Sequence, residues 1–381
     1  MSTPLWVTRR GNQSRASRVQ QRRRRARAAV VLARVLALAA VAFSPAAPVV
    51  AASAGRVANG LPAPFETLVA LILMTVAVVT VVELAAAAAS RLTRQLDGRR
   101  ADPSPGDAES EPWLPGATRP AVLGLAVLLS GAIVLGAAAT VGPWWWLVSA
   151  AALATGALGA IHLSPALVAA VLGARPLGDP ATAARLSALS RAAGVPIAAI
   201  DEVASGERPE PTAFVAGLGR HRRIFLSSVI VREWQPGEID VVVAHELGHH
   251  RRGDLWRSLL VDTAVIGGGL AVAAIAASAG VVSAPSAGVV ALPGIAWVAG
   301  SFWVVSAPLR HAQSRHQERQ ADAFALRLTG QVEAFTSVIR RLGKIHVADE
   351  QPTPLARWMT SRHPTVSERL RAADRFRQSR S

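Results

Sequence analysis

Six stretches of this chain are long and apolar enough to cross a bilayer as helices, and they limit every other reading. A hydrocarbon core of ~30 Å takes about 20 mostly apolar helical residues. The stretches lie at about 28–52, 68–89, 121–141, 144–161, 259–282 and 289–309. The first carries Arg34 near its start and Pro45 and Pro48 near its end. The fourth opens on Trp144-Trp145-Trp146, a pattern that suits the aromatic belt at a membrane interface, and Trp297 and Trp303 lie in the sixth. Only 17% of the residues are charged, against about 25% in soluble domains.

The polar connections fix how such a chain would be threaded. The links at about 53–64, 142–143 and 283–288 are short and hold a single arginine, Arg56, whereas 1–27, 90–120, 162–258 and 310–381 are rich in arginine. Cytoplasmic segments carry the excess of basic residues, so six spans with both termini inside satisfy the pattern. Five or seven spans would put an arginine-rich segment on the wrong side. The net charge of +16 is therefore largely topological. Residues 1–27 hold nine arginines and no acid. They read as a basic cytoplasmic segment orienting the first span, or alternatively as an arm for nucleic acid. The apolar run directly behind them favours the former, so no nucleic-acid partner is expected. A cleaved signal peptide fits less well, because the apolar stretch exceeds signal length.

The organisation expected is then a basic segment 1–27 and four spans within 28–161, with a Pro-, Gly- and acid-rich cytoplasmic linker at about 90–120. A first polar segment, 162–258, a two-span hairpin, 259–309, and a second polar segment, 310–381, follow. The run 163–172 is too short to span and is expected to pack on the catalytic part. No internal repeat is visible. The hairpin would bring the two polar segments together on the cytoplasmic side.

The first polar segment contains His245-Glu246-Leu247-Gly248-His249, preceded by Pro236-Gly237-Glu238, which has the form of a helix start. On a helix, residues four apart share a face. His245 and His249 can therefore offer two imidazoles to one metal, with Glu246 beside them to take a proton from metal-bound water. The competing reading is a helix with two solvated histidines. The chain has no cysteine, so a metal here would sit on histidine and carboxylate. A catalytic zinc needs a third protein ligand and an open position. In the second polar segment, Glu318 and Asp322 lie one turn apart on a helix that buries Ala321, Phe324, Ala325 and Leu328 on another face. Glu318 is the candidate third ligand and Asp322 a residue that supports the ligands from behind; a solvated charged face is the alternative. His250, His311 and His316 are rival ligands by position, and the first two are expected to be solvated. Ser361-Arg362-His363-Pro364 and then Glu368-Arg369 read, by themselves, as a loop before an amphipathic helix.

These three stretches, in this order and divided by a hydrophobic hairpin, resemble the membrane zinc metallopeptidases that include the CAAX prenyl endopeptidases and the HtpX heat-shock proteases. That family pairs H-E-x-x-H with a later E-x-x-x-D and a C-terminal S-x-H-P-x-x-x-E-R. The resemblance covers about residues 180–375. It implies one Zn2+ per chain on His245, His249 and Glu318, with Glu246 as general base. It also implies an Asp322–Arg369 pair bracing the ligand helix, and His363 facing the active site to steady an oxyanion in a chain without tyrosine. A stretch from Pro211 to Gly219 and another from Arg223 to Ser227 read as two strands around a turn. In the family a similar stretch forms an edge strand along the cleft, which implies substrate contacts at Thr212, Ala213 and Phe214. The family usually has Asn where this chain has Thr212. An ordinary packing hairpin is the alternative.

The fold expected is mainly α, with polytopic transmembrane helices and a cytoplasm-facing zincin-like catalytic domain built from an H-E-x-x-H helix, a Glu-bearing helix and a small β-hairpin or sheet. The expected function is zinc-dependent endopeptidase activity in the cell membrane, multi-pass, on polypeptides that are membrane-associated or unfolded, as in membrane-protein quality control. A CAAX-type processing endopeptidase is an alternative, as is a non-proteolytic membrane regulator that retains a zinc site. Burial of the H-E-x-x-H run within a span is disfavoured, since Arg251-Arg252-Gly253-Asp254 follows at once. The lipid bilayer, with anionic headgroups facing the arginines, is the other partner.

Overall fold

The computed structural model describes residues 25–96, 118–204, 211–345, 358–359 and 361–380. The basic segment up to residue 24 and the linker core 97–117 lie outside the described residues, so the expectations placed on them are not addressed.

Helices α1 (Arg25–Ala42) and α2 (Ala46–Val57) meet at a 61° bend. The first apolar stretch, expected over about 28–52, is thus a bent pair of helices. Pro45, at φ −67°, has no N–H to continue α1 and instead occupies the position just before α2. Helix α3 (Ala63–Leu96) is continuous. Helix α4 (Thr118–Val141) turns at Gly142 into α5 (Trp145–Val171), and the two pack against each other. The expected end of the fourth span at residue 161 falls short. The run 163–172 is the continuation of α5, and it does reach the catalytic part, where Pro165 packs on Gly217.

Among the described residues, Ala63–Thr93, Ala121–Val171, Asp254–Ser278 and Pro285–Val305 are long and apolar enough to cross a bilayer, and the bent α1–α2 pair could be a fifth crossing. Ala121–Val171 counts 51 residues, roughly 76 Å of helix at 1.5 Å per residue. That is more than twice the ~30 Å core. Because α4 and α5 pack against each other across the turn at Gly142, that length is enough for two crossings.

The first polar segment begins with β1 (Arg175–Pro176), α6 (Pro180–Ala192) and β2 (Ala199–Val203). Strand β3 (Ala213–Ala216), β4 (Arg223–Ser227), the short α7 (Ser228–Glu233) and α8 (Pro236–Arg252) follow. The sheet order is β1-β2-β4-β3, with β2 parallel to β4 and β3 antiparallel to β4 at the edge. Ile224, Phe225 and Leu226 of β4 are fully buried, as suits a central strand apolar on both faces. The expected strand pair around a turn is β3–β4. Arg223 grips buried Asp201 of β2 through two bonds of 2.7 Å.

Helix α8 starts where Pro236 supplies a preset φ and the backbone N–H of Gln235 donates to Glu238 at 3.0 Å. It stops at Gly253, whose φ of 69° would strain any residue with a Cβ. Helix α9 (Asp254–Ser278) begins at once. A 3₁₀ turn over Pro285–Ala291 leads to α10 (Leu292–Val305). Gly269 lets the backbone of α9 approach Ala299 of α10. The expected sixth span 289–309 ends at Val305, because Pro308 in the first turn of α11 (Ala307–Thr329) has no N–H for the carbonyl four residues back. Helices α12 (Val332–Ile345) and α13 (Val366–Gln378) complete the second polar segment. Thr365 caps α13 by accepting from Glu368 N–H at 3.2 Å, while its own N–H donates to the Glu368 carboxylate at 3.1 Å.

One core joins the two polar segments: Leu186, Ile224, Leu226, Ile230, Val243 and Leu247 pack with Leu326, Phe335 and Ile339. The hairpin α9–α10 thus returns the chain to the unit that it left.

Candidate metal centre

The centre is built where α8 and α11 cross. A Cβ on Gly248 would lie 3.1 Å from Phe324 Cδ1 and 3.3 Å from Ala321 Cα. Ala244, Ala321 and Ala325 are fully buried. The glycine inside H-E-L-G-H and these alanines allow the close approach that brings Glu318 of α11 over the two histidines of α8.

His245, His249 and Glu318 each offer one ligand atom, all within 4.8 Å of one another. His245 Nε2 lies 3.6 Å from Glu318 Oε2, and His249 Nε2 lies 3.7 Å from Oε1. Tetrahedral zinc with bonds of ~2.0–2.1 Å would separate its ligands by about 3.3–3.4 Å. The two histidine–Glu318 separations are therefore within a few tenths of an ångström of that value, and two imidazoles with one carboxylate suit zinc and leave a fourth position open. The remaining ring nitrogens are held from behind. His245 Nδ1 lies 3.0 Å from Asp322 Oδ1, and His249 Nδ1 lies 3.0 Å from Asp254 Oδ2. The bond between His249 Nδ1 and Asp254 fixes the tautomer that leaves its Nε2 bare for a metal, and the Asp322 carboxylate stands at ion-pair distance from His245 Nδ1.

Asp322 also accepts from Arg369 Nε at 2.8 Å and from its terminal nitrogen. This is the Asp–Arg pair that the resemblance implied. Burial alone would raise the Asp322 pKa, but Arg369 and then His245 hold it below the usual carboxylate range. Burial would lower His245, yet its hydrogen bond to Asp322 and the charge of Glu318 leave it raised in the metal-free chain. Glu318 would also be raised by burial; the His363 bond and the charges of His245, His363 and Arg369 outweigh this and hold it well below the ordinary value. Burial pushes Glu246 up, against the pull of His245 and His249.

His363 Nδ1 sits 3.0 Å from Glu318 Oε2, so the structure brings it to the site. Its side chain is 67% exposed, leaving the rest of the ring open to solvent. Ala213 and Phe214 lie on edge strand β3 and Thr212 directly before it; β3 packs on α8. Thr212 is tied to β4, its N–H donating to Ser227 Oγ at 3.0 Å and its carbonyl accepting from Ser227 N–H at 2.8 Å.

Of the rival histidines, His316 is exposed and outside the cluster. His250 is not solvated as expected. It is half-buried, its Nε2 lies 3.1 Å from the Val215 carbonyl, and Nδ1 accepts from Arg222 Nε at 3.1 Å. Burial lowers its pKa. His311 is likewise half-buried, and burial lowers its pKa too. Sequence reasoning missed Asp254 as the partner of His249. The available signal was an acid five residues on, just past the glycine that ends α8, where a new helix turns its first residue back toward the old one.

Comparison with known proteins follows the same outline. The chain is similar to an uncharacterised metalloprotease of Bacillus subtilis (strain 168), YhfN, at 24% identity over 208 residues. That match takes in 52% of this chain and 49% of the relative, so it spans about half of the relative's length. The fold resembles that in the crystal structure of S. mikatae Ste24p, with a TM-score of 0.64 and 19% identity over 86% of this chain and 80% of that one. The sequence pattern of Peptidase family M48 matches residues 176–377, from β1 to the end of α13, and so takes in every residue of the centre. The chain belongs to Peptidase family M48.

Proposed function

We propose that the protein is a zinc-dependent endopeptidase of the membrane, with one zinc held by His245, His249 and Glu318. The observation that carries this is the convergence of those three ligand atoms with Glu246 on the same helix turn and a carboxylate behind each histidine. Zinc in that position supplies Lewis acidity toward a carbonyl oxygen and lowers the pKa of water. Glu246 takes the proton of the attacking water and returns it to the leaving amine; burial, by raising its pKa, suits it to both. His363, with its open face, donates to the oxyanion of the tetrahedral intermediate. Asp322 and Arg369 brace His245, and Asp254 braces His249.

In this reading 162–258 and 310–381 form one catalytic unit facing the cytoplasm, and 28–161 and 259–309 anchor it. The arginine-rich connections support that side. The substrate is a membrane-associated or unfolded polypeptide laid along β3, paired with the backbone of Ala213 and touching the side chains of Thr212 and Phe214. An edge strand pairs with backbone and tolerates many sequences, which supports a quality-control role.

The test is zinc analysis of the detergent-solubilised protein together with casein cleavage before and after chelation. One zinc per chain, and cleavage lost on chelation and restored by zinc, is expected. Cleavage indifferent to chelation would overturn the proposal.

A further inference from the structure

We infer that His250 sets where the substrate-binding edge of β3 ends and holds that edge in register with the metal-binding helix. The inference rests on the peptide-hydrolysis reading above and adds to it a residue that governs which backbone bonds a peptide can make.

The backbone directions on β3 follow from its pairing. Thr212 points both its N–H and its carbonyl at Ser227. In an antiparallel pair the residues alternate, one turned toward the partner strand and the next turned away. With the register Ala213↔Leu226, Phe214↔Phe225, Val215↔Ile224 and Ala216↔Arg223, Phe214 and Ala216 face β4. Ala213 and Val215 then present their N–H and carbonyl groups to the open edge. His250 bonds the Val215 carbonyl, which agrees with that assignment. A carbonyl only accepts, so the proton is on Nε2; Nδ1 accepts from Arg222 Nε, so it carries none. Arg222 is itself anchored by a 2.8 Å bond from its terminal nitrogen to the Gly219 carbonyl.

Among the described residues, the open edge thus keeps three backbone groups for a peptide: both from Ala213, and the N–H of Val215. The fourth is taken by a side chain next in sequence to metal ligand His249 and one helical turn beyond Glu246. A peptide strand pairs fully opposite Ala213 and has no acceptor for its N–H two residues away. The peptide residue opposite Val215 therefore makes one backbone bond fewer than the residue opposite Ala213, and the tie from α8 to β3 fixes where that position lies relative to the metal-binding helix.

The test is an amide-to-ester scan of a cleaved peptide with the zinc-loaded protein. An ester removes one N–H donor at a time. In the wild type, of the two substrate amides two residues apart that face the edge, one loses about fivefold in kcat/KM as an ester, the scale of one net backbone hydrogen bond. The other is unaffected. In His250→Phe, which keeps bulk and removes the donor, the second amide becomes sensitive, with zinc content unchanged. His250→Gln, which restores an N–H at a similar reach, returns the wild-type profile. Two sensitive amides in the wild type overturn the inference, whether or not His250→Phe folds. An unchanged profile in a zinc-loaded His250→Phe overturns it as well. A wild type that cleaves none of the peptides overturns the hydrolase reading, and the inference with it.

Discussion

The catalytic unit and the membrane helices of this chain bury opposite things. In the catalytic unit, charged groups go inside in partnered sets: Asp322 with Arg369 and His245, Asp254 with His249, Asp201 with Arg223. Eleven of the twelve largest fully buried side chains among the described residues belong to it, and Met74 is the one from the spans. In the spans, large apolar residues such as Leu68, Leu125, Leu129, Leu260 and Ile275 point outward, while alanines and glycines such as Ala54, Ala273 and Gly269 lie between helices. A helix in lipid gains little by hiding a leucine and gains by close backbone approach. The consequence is that single residues matter greatly in one region and little in the other.

Substitutions can break or sharpen that contrast. The largest effect is expected from Glu318→Ala: metal analysis should show zinc lost and cleavage at background, and full zinc retention would move the third ligand elsewhere. Asp322→Ala leaves Arg369 buried and unpaired, which should cost about 3–5 kcal/mol of stability, read as a fall in thermal midpoint. Asp254→Asn should leave the fold in place and weaken zinc about 10–100-fold, measured by competition with a chelator; unaltered affinity would show that the carboxylate behind His249 has no role. At the small end, Leu125→Ala on the outer face of α4 should change stability by about 0.5 kcal/mol or less. A shift as large as that of Asp322→Ala would contradict the contrast itself.

Proton linkage gives a further, intermediate test. Asp322 and Glu318 have lowered pKa values, so they contribute stability above the ordinary carboxylate range, and it is lost as pH falls. His245 is raised in the metal-free chain, so its contribution is full below about pH 6.5 and is lost as pH rises through its folded value. In the chelated protein the thermal stability lost in His245→Gln should therefore be larger at about pH 6 than at about pH 8. Zinc should reverse the order, since it must displace the proton of His245. A loss that grows with pH in the chelated protein would refute the assignment.

The sequence showed the two regions with different clarity. The H-E-L-G-H helix, the Glu318–Asp322 face and the β3–β4 pair were readable because fixed spacing puts fixed side chains on one face. The spans were readable as apolar length, yet their ends were not. Pro45 and Pro308 broke helices that hydropathy ran straight through, and α5 continued past residue 161 because its apolar pattern never stopped. Asp254 and His250 were missed because their partners, His249 Nδ1 and the Val215 carbonyl, are set by a helix reversal and a strand crossing that spacing along the chain does not encode.

The central claim is that Glu246 moves the proton in a site whose ligands are other residues. The direct measurement is casein cleavage and zinc content of Glu246→Gln in detergent. The account predicts an unchanged zinc load and cleavage reduced about 10²–10⁴-fold, the usual worth of a positioned general base. Undiminished cleavage by the zinc-loaded variant would contradict it.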